Sequence, residues 1–141
     1  MFDVRISSMA IKSFTDLDVW HTGHNLVIRI YVLTKKFPRE ELFGLTSQMK
    51  RSSASITANI AEGFGRQNSK EKEQFYMIAA GSLFELKDQL LIARDVGYIS
   101  KDDFDGVAEI ANKCHAQLNA FIKAHRQKRN SSIEHRNSER A

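Results

Sequence analysis

Apolar residues recur along this chain at intervals of three and four in four separate stretches, the spacing that keeps side chains on one face of an α-helix. In the first stretch Leu17, Trp20, Val27 and Tyr31 share a face that Leu26, Ile30 and Leu33 widen. Thr15 is placed to cap this helix, with Asp18 at the third helical position. Pro38 disfavours helical geometry in the residue before it, so the helix is expected to stop near Phe37. Residues 39 to 44 then form a short connection.

Thr46 or Ser47 is expected to cap the second helix, whose apolar seam is Met49, Ile56 and Ile60. Around that seam sit Ser52, Ser53, Ala54, Ser55, Ala58 and Ala61, side chains short enough to admit a neighbouring backbone at close range. Gly63 is expected to supply a left-handed C-terminal residue, and residues 64 to 67 a compact loop. Asn68 and Glu71 have capping-box spacing and open the longest predicted helix, which runs to about Val96. One stripe of it holds Phe75, Ala79, Ser82, Leu83, Leu86, Leu90 and Ala93. At 100° per residue, Met77, Ala80, Phe84 and Leu91 fall on nearly the opposite side. A single bundle buries one broad stripe per helix. The second stripe is therefore a candidate subunit interface, the other reading being scattered surface hydrophobes.

Residues 97 to 99 turn the chain and Ser100 with Asp103 opens a fourth helix. In it Phe104, Val107, Ala111, Cys114, Leu118 and Phe121 alternate steps of three and four as a heptad seam. After about His125 the sequence is too polar to offset the entropy of ordering, so residues 126 to 141 are expected to be a basic disordered tail. The predicted organisation is a flexible segment 1 to 13, a bundle domain 14 to 125 and that tail. Met9 offers an alternative start to Met1. Short connections favour antiparallel neighbours, so the predicted fold is all-α, an up-down-up-down antiparallel four-helix bundle.

Composition narrows the function more than the fold. With 42% hydrophobic and 27% charged residues, the 141-residue chain has the balance of one globular domain, too small for a multidomain enzyme. No run of about 18 apolar residues marks a membrane span, and no secretory signal is present, so a cytoplasmic protein is expected. The net charge of +4 resides in the ends of the chain. Residues 126 to 141 carry five basic against two acidic side chains, and residues 16 to 125 carry 14 of each. Such a tail serves solubility or attracts phosphate through counterion release.

Candidate chemistry is sparse. The Gly63-Phe64-Gly65 segment follows a helix and lacks the strand and Lys-Ser/Thr pair of a phosphate-binding loop. Asp103, Asp105 and Gly106 have the look of a calcium loop, but its first ligand position is Lys101. His21 and His24 have no further ligands placed to complete a metal shell, and read as ordinary surface or interface histidines. The lone Cys114 cannot close an intramolecular disulfide and sits in the heptad seam as a small hydrophobe. No cofactor, metal, small-molecule substrate or membrane partner is expected, and an enzyme is not. Glu62, four residues before Arg66, is expected to make a structural tie with it. Lys50 and Arg51 read either as solvated charge or, with Arg66, Arg126, Lys128 and Arg129, as a shallow basic surface for a nucleic-acid backbone.

Particular residues also carry a family likeness. They are Phe14, Leu17, Val19 and Trp20; Phe37-Pro38 and Glu41; Gly44-Leu45-Thr46-Ser47-Gln48 and Arg51; Ser55-Ile56; Asn59-Ile60-Ala61-Glu62-Gly63 and Gly65-Arg66; and Ala80-Gly81-Ser82 with Glu85-Leu86. Together, over about residues 14 to 122, the chain resembles the four-helix bundle proteins encoded in intervening sequences of bacterial 23S ribosomal RNA genes. The resemblance implies an up-down bundle assembled as a ring-like homopentamer. It also implies kinship with accessory proteins of diversity-generating retroelements, similar bundles that bind a reverse transcriptase and nucleic acid. Two functions follow from it: a non-catalytic oligomeric assembly or adaptor module that recruits another protein, or an RNA- or DNA-binding accessory protein.

Overall fold

In the computed structural model, residues 10–141 are described; the choice between Met1 and Met9, and most of the segment 1 to 13, lie outside the described residues. Among the described residues there are four α-helices and no strand: α1 (Asp18–Thr34), α2 (Leu45–Gly65), α3 (Ser69–Asp95) and α4 (Lys101–Arg140). One-turn 3-10 helices at Phe14–Asp16 and Arg39–Glu41 lead into α1 and α2.

The ends follow local chemistry, with instructive departures. Ser13, not Thr15, makes the first capping box, and it does so with Asp16 on the 3-10 turn. Leu17 then precedes α1 with no side-chain cap. Phe37 is buried beyond the end of α1, which stops at Thr34, because turn hydrogen bonds from Lys36 and Phe37 fold the chain inward before Pro38. Helix α2 begins at Leu45 behind Gly44, so neither Thr46 nor Ser47 caps it, and Thr46 is buried. The expected caps of α3 and α4 form: Asn68 accepts from the amides of Lys70 and Glu71, and Ser100 from that of Asp103.

Helix α1 turns Val19, Gly23, Leu26, Ile30 and Leu33 inward, whereas Tyr31 is exposed and Trp20 and Val27 are half-buried. The widening residues of the predicted face are thus its centre. Met49, Ile56 and Ile60 of α2 are fully buried, as expected. In α3 the inward stripe is the predicted one except that Tyr76 is buried where Phe75 was expected, and that Ala80 and Gln89 are buried as well. In α4 the seam is Val107, Ala111, Cys114 and Leu118, completed by Ile122; Phe104 and Phe121 pack at its margins. Each fully buried Leu or Ile contributes about 1.5–3 kcal/mol by leaving water. Cys114 belongs to this core, where burial pushes its thiol up to about 11.

The short side chains of α2 do bring α3 close. Ser52 Oγ donates to Gln89 Oε1 at 2.7 Å, and Ser55 and Ser82 hydroxyls meet at 2.7 Å. Farther on, Gly63 faces Tyr76, completing contacts that step in opposite directions along the two helices. The same opposed order joins α3 to α4 through Tyr76 with Phe121, Phe84 with His115, and Arg94 with Phe104. Gly23 borders both Thr57 and Cys114, placing α1 against α2 and α4. Gly63 is not the left-handed terminator expected for α2. It lies inside the helix, which continues to Gly65, and among the described residues only Gly97 has positive φ. What Gly63 supplies is room: a Cβ there would lie 2.6 Å from Tyr76 Cε1.

Residues 126 to 140 are helical, against the expectation of disorder. A polar segment that cannot nucleate a helix alone can extend one already formed, since propagation is far cheaper than nucleation. Arg126 and Arg129 both reach Glu73 on α3 and pin the first turn of the extension.

Two predictions follow from these contacts. Gly63→Ala should destabilise the protein by about 1–3 kcal/mol through overpacking against Tyr76, read as a lowered urea midpoint. Gly81→Ala, with nothing within 4 Å, should be neutral or stabilise by up to about 1 kcal/mol. Equal stability of the two variants would contradict this packing. The Arg126 guanidinium, with Arg129 beside it, holds the Glu73 carboxyl below its ordinary value of 4.5. A depressed folded-state pKa means the tie is intact above the ordinary value and is lost as pH falls through the lowered one. Amide exchange in residues 126 to 129 should therefore accelerate in acid below that range, and in Glu73→Gln at neutral pH.

Candidate functional site

An apolar stripe runs along the outward face of α3, with Gly81, Asp88 and Asp95 exposed between and beyond its members. Met77, Phe84 and Leu91 recur every seven residues and are 47%, 57% and 43% exposed, with Ile78 and Ile92 exposed beside them. The stripe from Met77 to Leu91 is about 21 Å long at the helical rise. Three of the four predicted interface residues therefore point outward. Ala80 does not: at 9% exposure it belongs to the edge of the core, because its position turns it towards the side of Tyr76 and Leu83.

This stripe borders α4. The Phe84 ring meets His115 edge-on, with centroids 4.8 Å apart, and Lys87 Nζ donates to His115 Nδ1 at 2.6 Å. Burial, and then the Lys87 charge, lowers the His115 pKa from its ordinary value, while burial lowers that of Lys87. The ring thus accepts as a neutral imidazole and the pair carries the single charge of Lys87. Two grooves flank Phe84. One, of about 380 Å³, runs between α3 and α4 past Lys87, Leu90, Leu91, Arg94, Phe104 and Ala108. The other, of about 630 Å³, is lined by Lys70, Glu73, Gln74, Met77, Ile78 and Arg129. The sequence reading missed Ile78 and Ile92, which their places next to Met77 and Leu91 could have signalled; it also missed Lys87, Arg94 and His115, since only packing brings α3 and α4 together there.

The six basic residues considered for nucleic acid do not converge. Lys50 Nζ lies 4.9 Å from the Tyr31 ring centroid, and Arg51 is paired with Glu85 and Gln48. Arg66 pairs with Glu62 and covers the Phe75 ring at 4.9 Å, about 22 Å along α2 from Arg51. Arg126 and Arg129 share Glu73, and Lys128 is exposed at the rim of a separate groove beside Phe64 and His125. Four of the arginines thus already face carboxylates.

The remaining polar candidates have structural partners. His21 Nε2 contacts the Thr15 carbonyl at 2.6 Å, and His24 stacks on Trp20 at 4.8 Å. Asp103 and Asp105 lie in the first turns of α4, where Lys101 pairs with Asp105 at 2.8 Å. Gly63-Phe64-Gly65 is the last turn of α2. His125 Nε2 lies within hydrogen-bond distance of both the carbonyl and the hydroxyl of Ser69, tying α4 to the start of α3. Among the described residues no three His, Cys, Asp or Glu side chains are grouped to hold a metal, and no helix is long and apolar enough to cross a membrane.

Comparison with known proteins agrees with this architecture. The chain is similar to a crystallised protein of unknown function from the S23 ribosomal protein family of Bacteroides thetaiotaomicron, with a TM-score of 0.69 and 24% identity over 74% of this chain and 95% of that one. That likeness is one of fold. No curated protein matches the chain. Residues 15–120, most of the helical body from just before α1 into α4, match the family described as 23S rRNA-intervening sequence protein, and the chain belongs to that family.

Proposed function

We propose that this protein is a non-catalytic, cytoplasmic assembly module: an up-down-up-down bundle whose copies associate through the outer α3–α4 face into a ring-like homopentamer. The observation that carries the reading is the Met77–Phe84–Leu91 stripe, with Ile78 and Ile92, left in water by a single copy. Monomeric proteins rarely keep contiguous apolar patches of this kind, and covering them releases about 25 cal/mol for each Å² of apolar surface removed from water. The opposed helix contacts support the topology, and family membership supports the ring through the resemblance already described. The one cysteine favours scaffolding over nucleophilic chemistry: the thiol of Cys114 is fully buried with its pKa raised.

A second reading, binding of RNA or DNA with a reverse transcriptase or other protein as partner, is favoured by one observation. Helix α4 continues through residues 126 to 140 with five basic side chains against two acidic ones. Five copies on one ring multiply a weak phosphate contact without any new chemistry.

Light scattering of the purified chain should give about five times its 16.1 kDa. Phe84→Glu and Leu91→Glu should each lower that mass towards one copy while circular dichroism stays helical, and an unchanged mass in both would reject this face. For the second reading, fluorescence anisotropy with a single-stranded RNA should report binding at low salt. Its log-log salt slope should be steep and become shallower when residues 126 to 141 are deleted. Absence of binding at about 50 mM salt, the low end over which such contacts are strongest, removes that reading.

A further inference from the structure

We propose that Phe43 of one copy seats in the α3–α4 groove beside Leu91 of the next, joining copies head to tail; this specifies the contact within the assembly proposed above and rests on that assembly. Phe43 stands in the turn between α1 and α2 and is 92% exposed, more than any other large hydrophobic side chain described. Leu42 beside it is also exposed. An aromatic ring presented this way leaves nearly all its apolar area in water, and neither neighbouring helix of its own chain covers it.

The groove has the complementary shape and charge. Its walls are Leu90, Leu91, Phe104 and Ala108, and its volume of about 380 Å³ admits an aromatic ring. Its rim carries Lys87 and Arg94. Lys87 donates to a neutral imidazole, which leaves its positive charge uncancelled at that contact, while Arg94 shares its charge with Asp95. The turn that bears Phe43 carries Glu40 and Glu41 against Arg39, a net negative charge, and neither carboxylate forms an ion pair among the described residues. Thus an apolar plug beside a turn of net negative charge faces an apolar slot whose rim keeps the positive charge of Lys87.

Position permits the join. Phe37 and Tyr98 rings pack with centroids 5.3 Å apart, so the α1–α2 turn and the α3–α4 turn lie at the same end of the molecule. Helix α1 packs on α2 and α4, and α3 on α2 and α4, which sets the α1–α2 side opposite the α3–α4 side. Plug and slot are therefore different patches towards the same end of the molecule, on different sides of one copy. A contact between unlike patches generates closed rings when its rotation closes.

The test uses the full chain with two variants, Phe43→Asp and Leu91→Asp, followed by native mass spectrometry. Phe43→Asp should fall to one copy, and its exposed position protects folding, checked by circular dichroism. Alone, Leu91→Asp should do the same through the slot. Mixed in equal amounts, the intact plug of Leu91→Asp should enter the intact slot of Phe43→Asp and give a 1:1 heterodimer that grows no further. A wild-type oligomer whose mass survives Phe43→Asp overturns the plug while leaving assembly standing. Failure of two monomeric variants to pair overturns the head-to-tail geometry. A monomeric wild type removes the assembly and this contact with it.

Discussion

The close approach of α2 and α3 is the constraint on which the rest of the molecule depends. It is made by what is missing from side chains: Ser52, Ser53 and Ser55 are short, and Gly63 has no Cβ where the Tyr76 ring must pass. With the two backbones near each other, polar groups that would otherwise be stranded find partners across the seam. Ser52 meets Gln89 and Ser55 meets Ser82, while Asn59 on the same helix as Ser55 donates to its hydroxyl. Buried hydroxyls and amides stabilise a fold only when so satisfied, and a bonded set fixes one register where a purely apolar seam tolerates sliding. Leu83, Leu86 and Leu90 then face the core, and the opposite side of α3 is left to solvent.

That last consequence links packing to function. Once the register is set, Met77, Phe84 and Leu91 stay about half exposed. Helix α4 reaches the flank of the stripe, where Arg126 touches Met77, His115 touches Phe84 and Lys87, and Phe104 and Ala108 line a groove with Leu91. The resulting face combines apolar side chains with two grooves whose rims carry Lys70, Lys87, Arg94 and Arg129. The carboxylates beside Arg51, Arg66, Arg126 and Arg129 occupy these guanidinium groups, which bind helices together or hold local turns. Exposed pairs of this kind contribute little stability each, about 0–1 kcal/mol, but they do reduce the positive field available to a polyanion.

Periodicity alone placed four helices, the α2 seam of Met49, Ile56 and Ile60, and most of the inward stripes of α3 and α4, because burial repeats with the turn of the helix. It also separated the outward stripe of α3, apart from Ala80. It failed at the Phe75–Tyr76 and Phe121–Ile122 boundaries, where adjacent apolar residues differ by a single 100° step and only the neighbouring helix selects one. Asn68 and Ser100 were recognisable as caps because the signal is local; the starts of α1 and α2 were not, because a 3-10 turn precedes each.

The amino-acid sequence by itself therefore determined the helices, the core-facing residues at their centres and the family to which the chain belongs, since all three reside in short-range spacing and residue identity. The Glu62–Arg66 tie was legible from its four-residue spacing, whereas tertiary structure decided what Gly63 is for, why residues 126 to 140 stay helical and where Arg51, Arg126 and Arg129 spend their charge. Those outcomes turn on partners distant in the chain, Tyr76, Glu73 and Glu85, that no local pattern brings within reach.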